Sequence, residues 1–266
     1  MPDRRPRTSP SRDASFTPMT IEVSEEAGVR YLHFGSHWIQ GAMRVRRSHA
    51  LELEYTRDMM FPLLLDVPSP WPQRVLIIGL GAASITKFLH RHWPRAELTV
   101  VEIEPRVVAA ARQHFRLPLD SARLRVELGD GAAYVAADGP AFDWIIVDGF
   151  DARGLAGALD TRAFYRNCRA RLGERGVLTA NLLRRSRGCQ ASVARIGEAF
   201  DERVLTLPTC ASGNTVAVAI TGPRLRIARA ELRTAAERLR SDTGLNLLRT
   251  VGRFAAATPP GGVLML

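Results

Sequence analysis

One stretch constrains this chain more than any other: Arg74-Val-Leu-Ile-Ile-Gly-Leu-Gly-Ala-Ala-Ser84. Val75 to Ile78 are continuously apolar with β-branched members, the pattern of a strand buried on both faces. Gly79 and Gly81 break the run, and a helix is expected from Ala82 onward. A strand that ends in glycines and opens into a helix brings bare backbone and a positive helix end close to a ligand. Alone, Gly-x-Gly is equally the mark of a plain tight turn, so its meaning depends on the residues C-terminal to it.

Those residues alternate between strand and helix patterns. A helix over 82–92 leads to a strand at Glu97–Glu102, a helix over Pro105–Phe115, a strand at Leu124–Leu128 and a strand at Phe142–Asp148. A helix over 162–172, a strand at Gly176–Ala180 and a helix over 193–200 come next. Strands at Val204–Leu207 and Thr215–Ile220 close the series as an antiparallel edge hairpin, and Leu225–Arg240 reads as a final helix before an irregular Pro259–Gly262 tail. Repeated strand–helix units with short links predict an α/β fold: a doubly wound, mostly parallel sheet of seven strands with helices on both faces.

The region before Arg74 differs. Residues 1–18 are rich in Pro, Arg and Ser and read as a disordered tail. Residues 19–70 read as a small N-terminal β domain plus a helix. Its strands are Thr20–Ser24 and Val29–Phe34, with a third near His37–Val45 and the helix over Leu51–Phe61. The prolines of 66–72 form the linker, and 71–266 are the main domain.

Composition removes several function classes. No apolar run approaches the roughly 18–20 residues of a membrane span, and no secretory signal is visible, so a cytoplasmic protein is expected. Cys168, Cys189 and Cys210 are too scattered for a zinc site or a disulfide framework and read as small buried hydrophobes; no metal is expected. The net charge of +10 invites a nucleic-acid reading. However, Lys87 is the only lysine among 37 basic residues, so the charge reflects an arginine bias spread along the chain, and no specific nucleic-acid partner is expected.

In a doubly wound sheet the ligand sits at the C-terminal ends of the strands. The first strand here ends in Gly79-Leu-Gly81 and the second in Glu102, 23 residues after Gly79, where an acid can accept both ribose hydroxyls. The third ends in Gly129-Asp130-Gly131, whose carboxylate can accept a base amino group, and the fourth in Asp148, followed by Gly149 and Asp151. Each acid has a plainer reading beside this one: Glu102 or Glu104 as a solvated loop acid, Asp130 as a helix cap, Asp148 and Asp151 as turn residues. As a constellation they describe an adenosine cleft with extra acids at its mouth. A dinucleotide fingerprint would place a third glycine at Ser84. A sulfonium cofactor needs no phosphate cradle, and its positive charge tolerates nearby acids, which favours S-adenosylmethionine or a relative over NAD.

The order Ile77–Gly81, Val101-Glu-Ile-Glu-Pro105, Gly129–Gly131, Trp144–Asp151 and Phe164-Tyr165 resembles the spermidine synthase (polyamine aminopropyltransferase) family over roughly residues 20–220. The resemblance implies a class I methyltransferase-like Rossmann fold and aminopropyl transfer from decarboxylated S-adenosylmethionine to a small-molecule amine, by a homodimer or higher homo-oligomer. It also implies roles. Gln40, Gly79, Gly81, Glu102, Ile103, Asp130 and Gly131 would surround the cofactor, with Glu102 at the ribose and Asp130 at the adenine. Asp148 would take the proton from the attacking amine and Asp151 would hold the cationic substrate. One departure stands out. The family's glycine loop carries an aspartate for the donor's ammonium group, whereas this loop has Leu80, Ala82 and Ala83. Methyl transfer from S-adenosylmethionine is therefore the second expectation, and a non-catalytic adenosyl-binding protein the third.

Overall fold

A computed structural model describes residues 20–35, 38–67, 70–151, 154–183, 188–258 and 264–266. The tail expected over 1–18 and the irregular Pro259–Gly262 lie outside the described residues, as does His37 at the start of the expected third strand.

Strands β1 (Ile21–Glu26), β2 (Val29–Phe34) and β3 (Ile39–Arg44) form an antiparallel sheet in that order. Helix α1 is short, Glu54–Asp58, where a longer helix over 51–61 was expected. A 3₁₀ turn at Phe61–Leu64, with Pro62 buried inside it, takes over the C-terminal part because proline cannot continue the α-helical ladder. The alternation then runs β4 (Arg74–Ile78), α2 (Ser84–His92), β5 (Glu97–Glu102), α3 (Pro105–His114), β6 (Leu124–Leu128), α4 (Gly131–Ala136) and β7 (Phe142–Val147). It continues with α5 (Arg162–Ala170), β8 (Leu172–Leu183), α6 (Cys189–Ala199), β9 (Val204–Thr206) and β10 (Asn214–Ile220).

These seven strands make one sheet in the order β6-β5-β4-β7-β8-β10-β9. The first five strands are parallel, and β10 lies antiparallel between β8 and β9, so the expected fold class and the edge hairpin are both present. The period of two explains why β4 had to be apolar throughout. Val75 and Ile77 face one core with Trp144 and Val218, while Leu76 and Ile78 face the other with Ile145 and Ala217. The strand order reverses at β4, with β5 on one side and β7 on the other, and this switch point is where such sheets open a crevice.

The C-terminal end departs from expectation. A short strand β11 (Arg226–Ile227) precedes helix α7 (Arg229–Thr243), which ends at Gly244 in the left-handed conformation. A further helix α8 (Leu248–Ala257) comes next, and β12 (Leu264–Met265) pairs with β11. The periodicity of Leu248, Val251 and Phe254 marks α8 in the sequence; proximity to a proline- and glycine-rich tail concealed it.

The small sheet is fastened to the large one through Leu32, Met43, Ala82, Ala110 and Phe115. A polar fastening sits beside it: Lys87 is fully buried and its Nζ donates to Phe115 O at 2.7 Å, while Arg30 donates to His114 O at 2.6 Å. Both cations meet the carbonyl end of α3, where positive charge is favourable. Burial pulls Lys87 down from 10.5 to about 7, helped by Arg116. Between those values the unfolded chain binds a proton that the folded chain does not, so stability rises as pH increases from 7 toward 10. Urea midpoints of Lys87→Met across that range should lose this rise; an unchanged slope would assign it to another group.

Candidate active site

Four strand ends, those of β4, β5, β6 and β7, and helix α1 build the site. At the first, Gly79 adopts φ +95°, and a Cβ there would stand 2.2 Å from Asp148 O, so β4 and the β7 exit meet backbone to backbone. Gly81 comes two residues later at φ +49°, and its missing Cβ would lie 3.4 Å from Gln40 O. Strand β3 thus lies across the glycine loop, and Ser84 Oγ donates to Ala42 O at 3.0 Å to hold it there. Gln40 is brought to the loop by its backbone.

At the second strand end, Glu102 is buried and both of its oxygens are used. Oε2 accepts Leu80 N at 2.8 Å and Oε1 accepts Glu104 N at 3.0 Å. The carboxylate is therefore a brace for the glycine loop and no solvated acid. Each oxygen retains a second lone pair for a ligand hydroxyl. The plainer reading belongs instead to Glu104, which caps α3 through Arg106 N and pairs with the Arg106 side chain, a contact that lowers its pKa. Ile103, between the two, is 69% exposed and presents a bare apolar face beside the crevice.

Asp130 does cap a helix: Oδ1 accepts Ala132 N at 2.6 Å and Ala133 N at 3.1 Å. Capping by one oxygen turns the other away from the helix, so the cap and a role toward a base amino group are compatible. Gly131 is required by packing, since a Cβ would fall 2.3 Å from Ile78 Cγ2. Acceptor oxygens at the β5 and β6 ends with an apolar ledge between them suit hydroxyl and amino donors on an adenosyl group, and they suit a phosphate poorly.

Asp148 carries the most perturbed chemistry. Its N donates to Ile78 O at 2.8 Å, and its Oδ1 accepts Asn181 Nδ2 at 2.8 Å. Burial pushes its pKa up to about 6, opposed by hydrogen bonds from Asn181 and from Tyr55 of α1. Burial and the charge of Asp148 raise the Tyr55 phenol well above its ordinary value, so it stays a donor. A half-buried carboxylate poised near neutrality and gripped by two donors is equipped to take a proton. Asp151 is exposed and three residues further along, its Oδ1 accepting Leu155 N at 2.8 Å. The turn reading thus describes Asp151 and does not describe Asp148.

Two partners of Asp148 are absent from the sequence expectations. Tyr55 lies there only inside the expected helix over 51–61, with no role of its own. Asn181 fell one residue past the expected end of the fifth strand, although β8 runs on to Leu183. Behind it, Asn214 Nδ2 donates to Asn181 Oδ1 at 2.9 Å, which fixes which way the Asn181 amide points. The rule that informative residues sit at strand ends would have found Asn181 with a longer strand.

The fold is of the class I methyltransferase-like type, with acids at the strand ends that border its switch-point crevice. The spermine/spermidine synthase domain matches residues 52–218, and the chain belongs to that family. Among its relatives, a polyamine aminopropyltransferase from Neisseria meningitidis serogroup A is 32% identical over 242 residues, 91% of each chain. Another from Chromobacterium violaceum is 34% identical over 234 residues, 88% of each. A solved structure described as a probable spermidine synthase from Corynebacterium glutamicum superposes with TM-score 0.70 at 19% identity, covering 92% of this chain and 95% of that one. A spermidine synthase in complex with the transition-state analogue AdoDATO gives 0.63 at 24%, covering 91% and 87%; both superpositions bear on the fold alone.

Proposed function

We propose that this chain transfers an aminopropyl group from decarboxylated S-adenosylmethionine to an amine of a small polyamine. The observation that carries the reading is Asp148: a carboxylate raised to about 6, held by Tyr55 and Asn181, at the mouth of an acceptor-lined crevice. Its relatives, named polyamine aminopropyltransferases over nine-tenths of their length, support it.

When bound, the donor supplies a carbon made electrophilic by the adjoining sulfonium. The protein's part is to align that carbon with an amine and to make the amine a nucleophile. Glu102 would take the ribose hydroxyls and Asp130 the adenine amino group, with Ile103 against the base and Gly79, Gly81, Gly131 and Gln40 shaping the wall. The Asp148 carboxylate would remove a proton from the acceptor's ammonium, and Asp151 would hold the acceptor's other cationic end.

The glycine loop gives a specific reason to carry a second reading. Leu80, Ala82 and Ala83 are buried and supply no carboxylate to the donor's ammonium, which favours as a methyl donor ordinary S-adenosylmethionine, whose own carboxylate balances that charge. Incubation with putrescine and either donor separates the two. The expected result is aminopropylated amine plus methylthioadenosine from the decarboxylated donor; methylated amine formed only from the carboxylated donor would replace the first reading with the second. Residence in the cytoplasm and assembly into a homodimer belong to the same proposal, and fractionation and light scattering would read them.

A further inference from the structure

We propose that Arg253, on the C-terminal helix α8, is a positioning residue that holds the Tyr55 phenol on Asp148. The inference rests on the reading of Asp148 as the base.

Helix α1 has five residues, too few to hold an orientation by its own hydrogen bonds. Its direction is therefore set by what grips its side chains. Glu54 and Asp58 stand four apart and share one face, where two carboxylates repel each other. Arg253 lies between them, pairing one guanidinium nitrogen with Glu54 and the other with Asp58, the latter at 2.5 Å. Among the described residues no other cation pairs with either acid. Asp58 is almost fully buried and also accepts Thr250 Oγ1 from the same helix at 2.6 Å. Glu54 Oε2 in addition accepts Ala211 N at 3.1 Å, which ties α1 to the turn before β10.

Tyr55 adjoins Glu54 and is hydrogen-bonded to Asp148 from this anchored turn. The groups that face Asp148 thus come from α1 and β8, and the α1 contribution depends on the Arg253 fork. The fork lies 35 residues beyond the end of the matched family domain at residue 218. A segment outside that domain would so complete the catalytic pair. Ring packing of Phe254 on Phe61, with centroids 5.4 Å apart, fastens α8 to the 3₁₀ turn after α1 and keeps the fork in place.

The test compares wild type, Arg253→Lys, Arg253→Met, Tyr55→Phe and the double variant Arg253→Met/Tyr55→Phe. With the decarboxylated donor and putrescine, Arg253→Met should lower kcat about tenfold while KM for both substrates stays within about twofold. The acid limb of the kcat profile should move upward, because Asp148 loses a donor. Arg253→Lys, which retains a charge, should recover part of both and covers the case in which Arg253→Met does not fold. The double variant should be no slower than Tyr55→Phe alone, the sign of two residues acting through one contact. A lower Tm with unchanged kcat and profile, or additive losses in the double variant, would overturn the proposal. Carbon-13 titration of Asp148 without substrate gives a readout independent of the reaction. An upward shift in Arg253→Lys or Arg253→Met supports the positioning role even where the wild type forms no aminopropylated product, an outcome that would sink only the function proposed above.

Discussion

Asp148→Asn is expected to lower kcat about a thousandfold and to leave donor affinity within a few-fold. The substitution keeps the shape and the Asn181 contact of the side chain but removes its capacity to hold a proton, and positioned general bases contribute roughly 10²–10⁴ in rate. With Asp148 acting as the proposed base, only its carboxylate form would be competent, so kcat/KM should rise with pH through about 6, the value to which burial lifts Asp148. The rise and its midpoint should vanish in Asp148→Asn, leaving a residual rate without that limb. Steady-state kinetics over pH 5–8 and calorimetry with the donor measure both quantities. Lost donor affinity at preserved fold would move Asp148 from the base to the cofactor wall.

Gly79→Ala is the larger effect on the folded state. Its φ of +95° is strained for any L side chain, and the added methyl would meet Asp148 O at 2.2 Å, a backbone atom that no rotamer change can move. The two strand ends must then separate, which breaks the Asp148 N to Ile78 O hydrogen bond as well. A loss on the order of 3–4 kcal/mol is expected, read as a lower urea midpoint, together with loss of donor binding. Gly129→Ala supplies the contrast, since a Cβ there meets nothing within 4 Å and the stability should change little. Equal losses at both positions would mean that the crevice is not built on this close approach.

The sequence by itself determined the doubly wound sheet, because each strand–helix unit is a local pattern: the apolar run of β4, the alternation around β5 and the proline at the head of α3 each act over a few residues. It also determined which strand ends carry acids, since a residue's place at the end of a strand is a local property. The division of labour among those acids was not local. Glu102 and Glu104 look interchangeable in the chain, yet one is buried under the glycine loop and the other is turned outward onto Arg106.

Only the tertiary structure decided what surrounds Asp148. Tyr55 lies 93 residues before it and Asn181 lies 33 after it, and Arg253 reaches α1 across almost 200 residues. Periodicity cannot report such contacts, because they depend on how the helix before the sheet and the helices after it pack on the same edge. The opening glycine loop shows the same division. Its chain conformation follows from Gly79 and Gly81, but its place in the molecule depends on the backbone of Asp148 and Gln40 coming within reach of those two absent side chains.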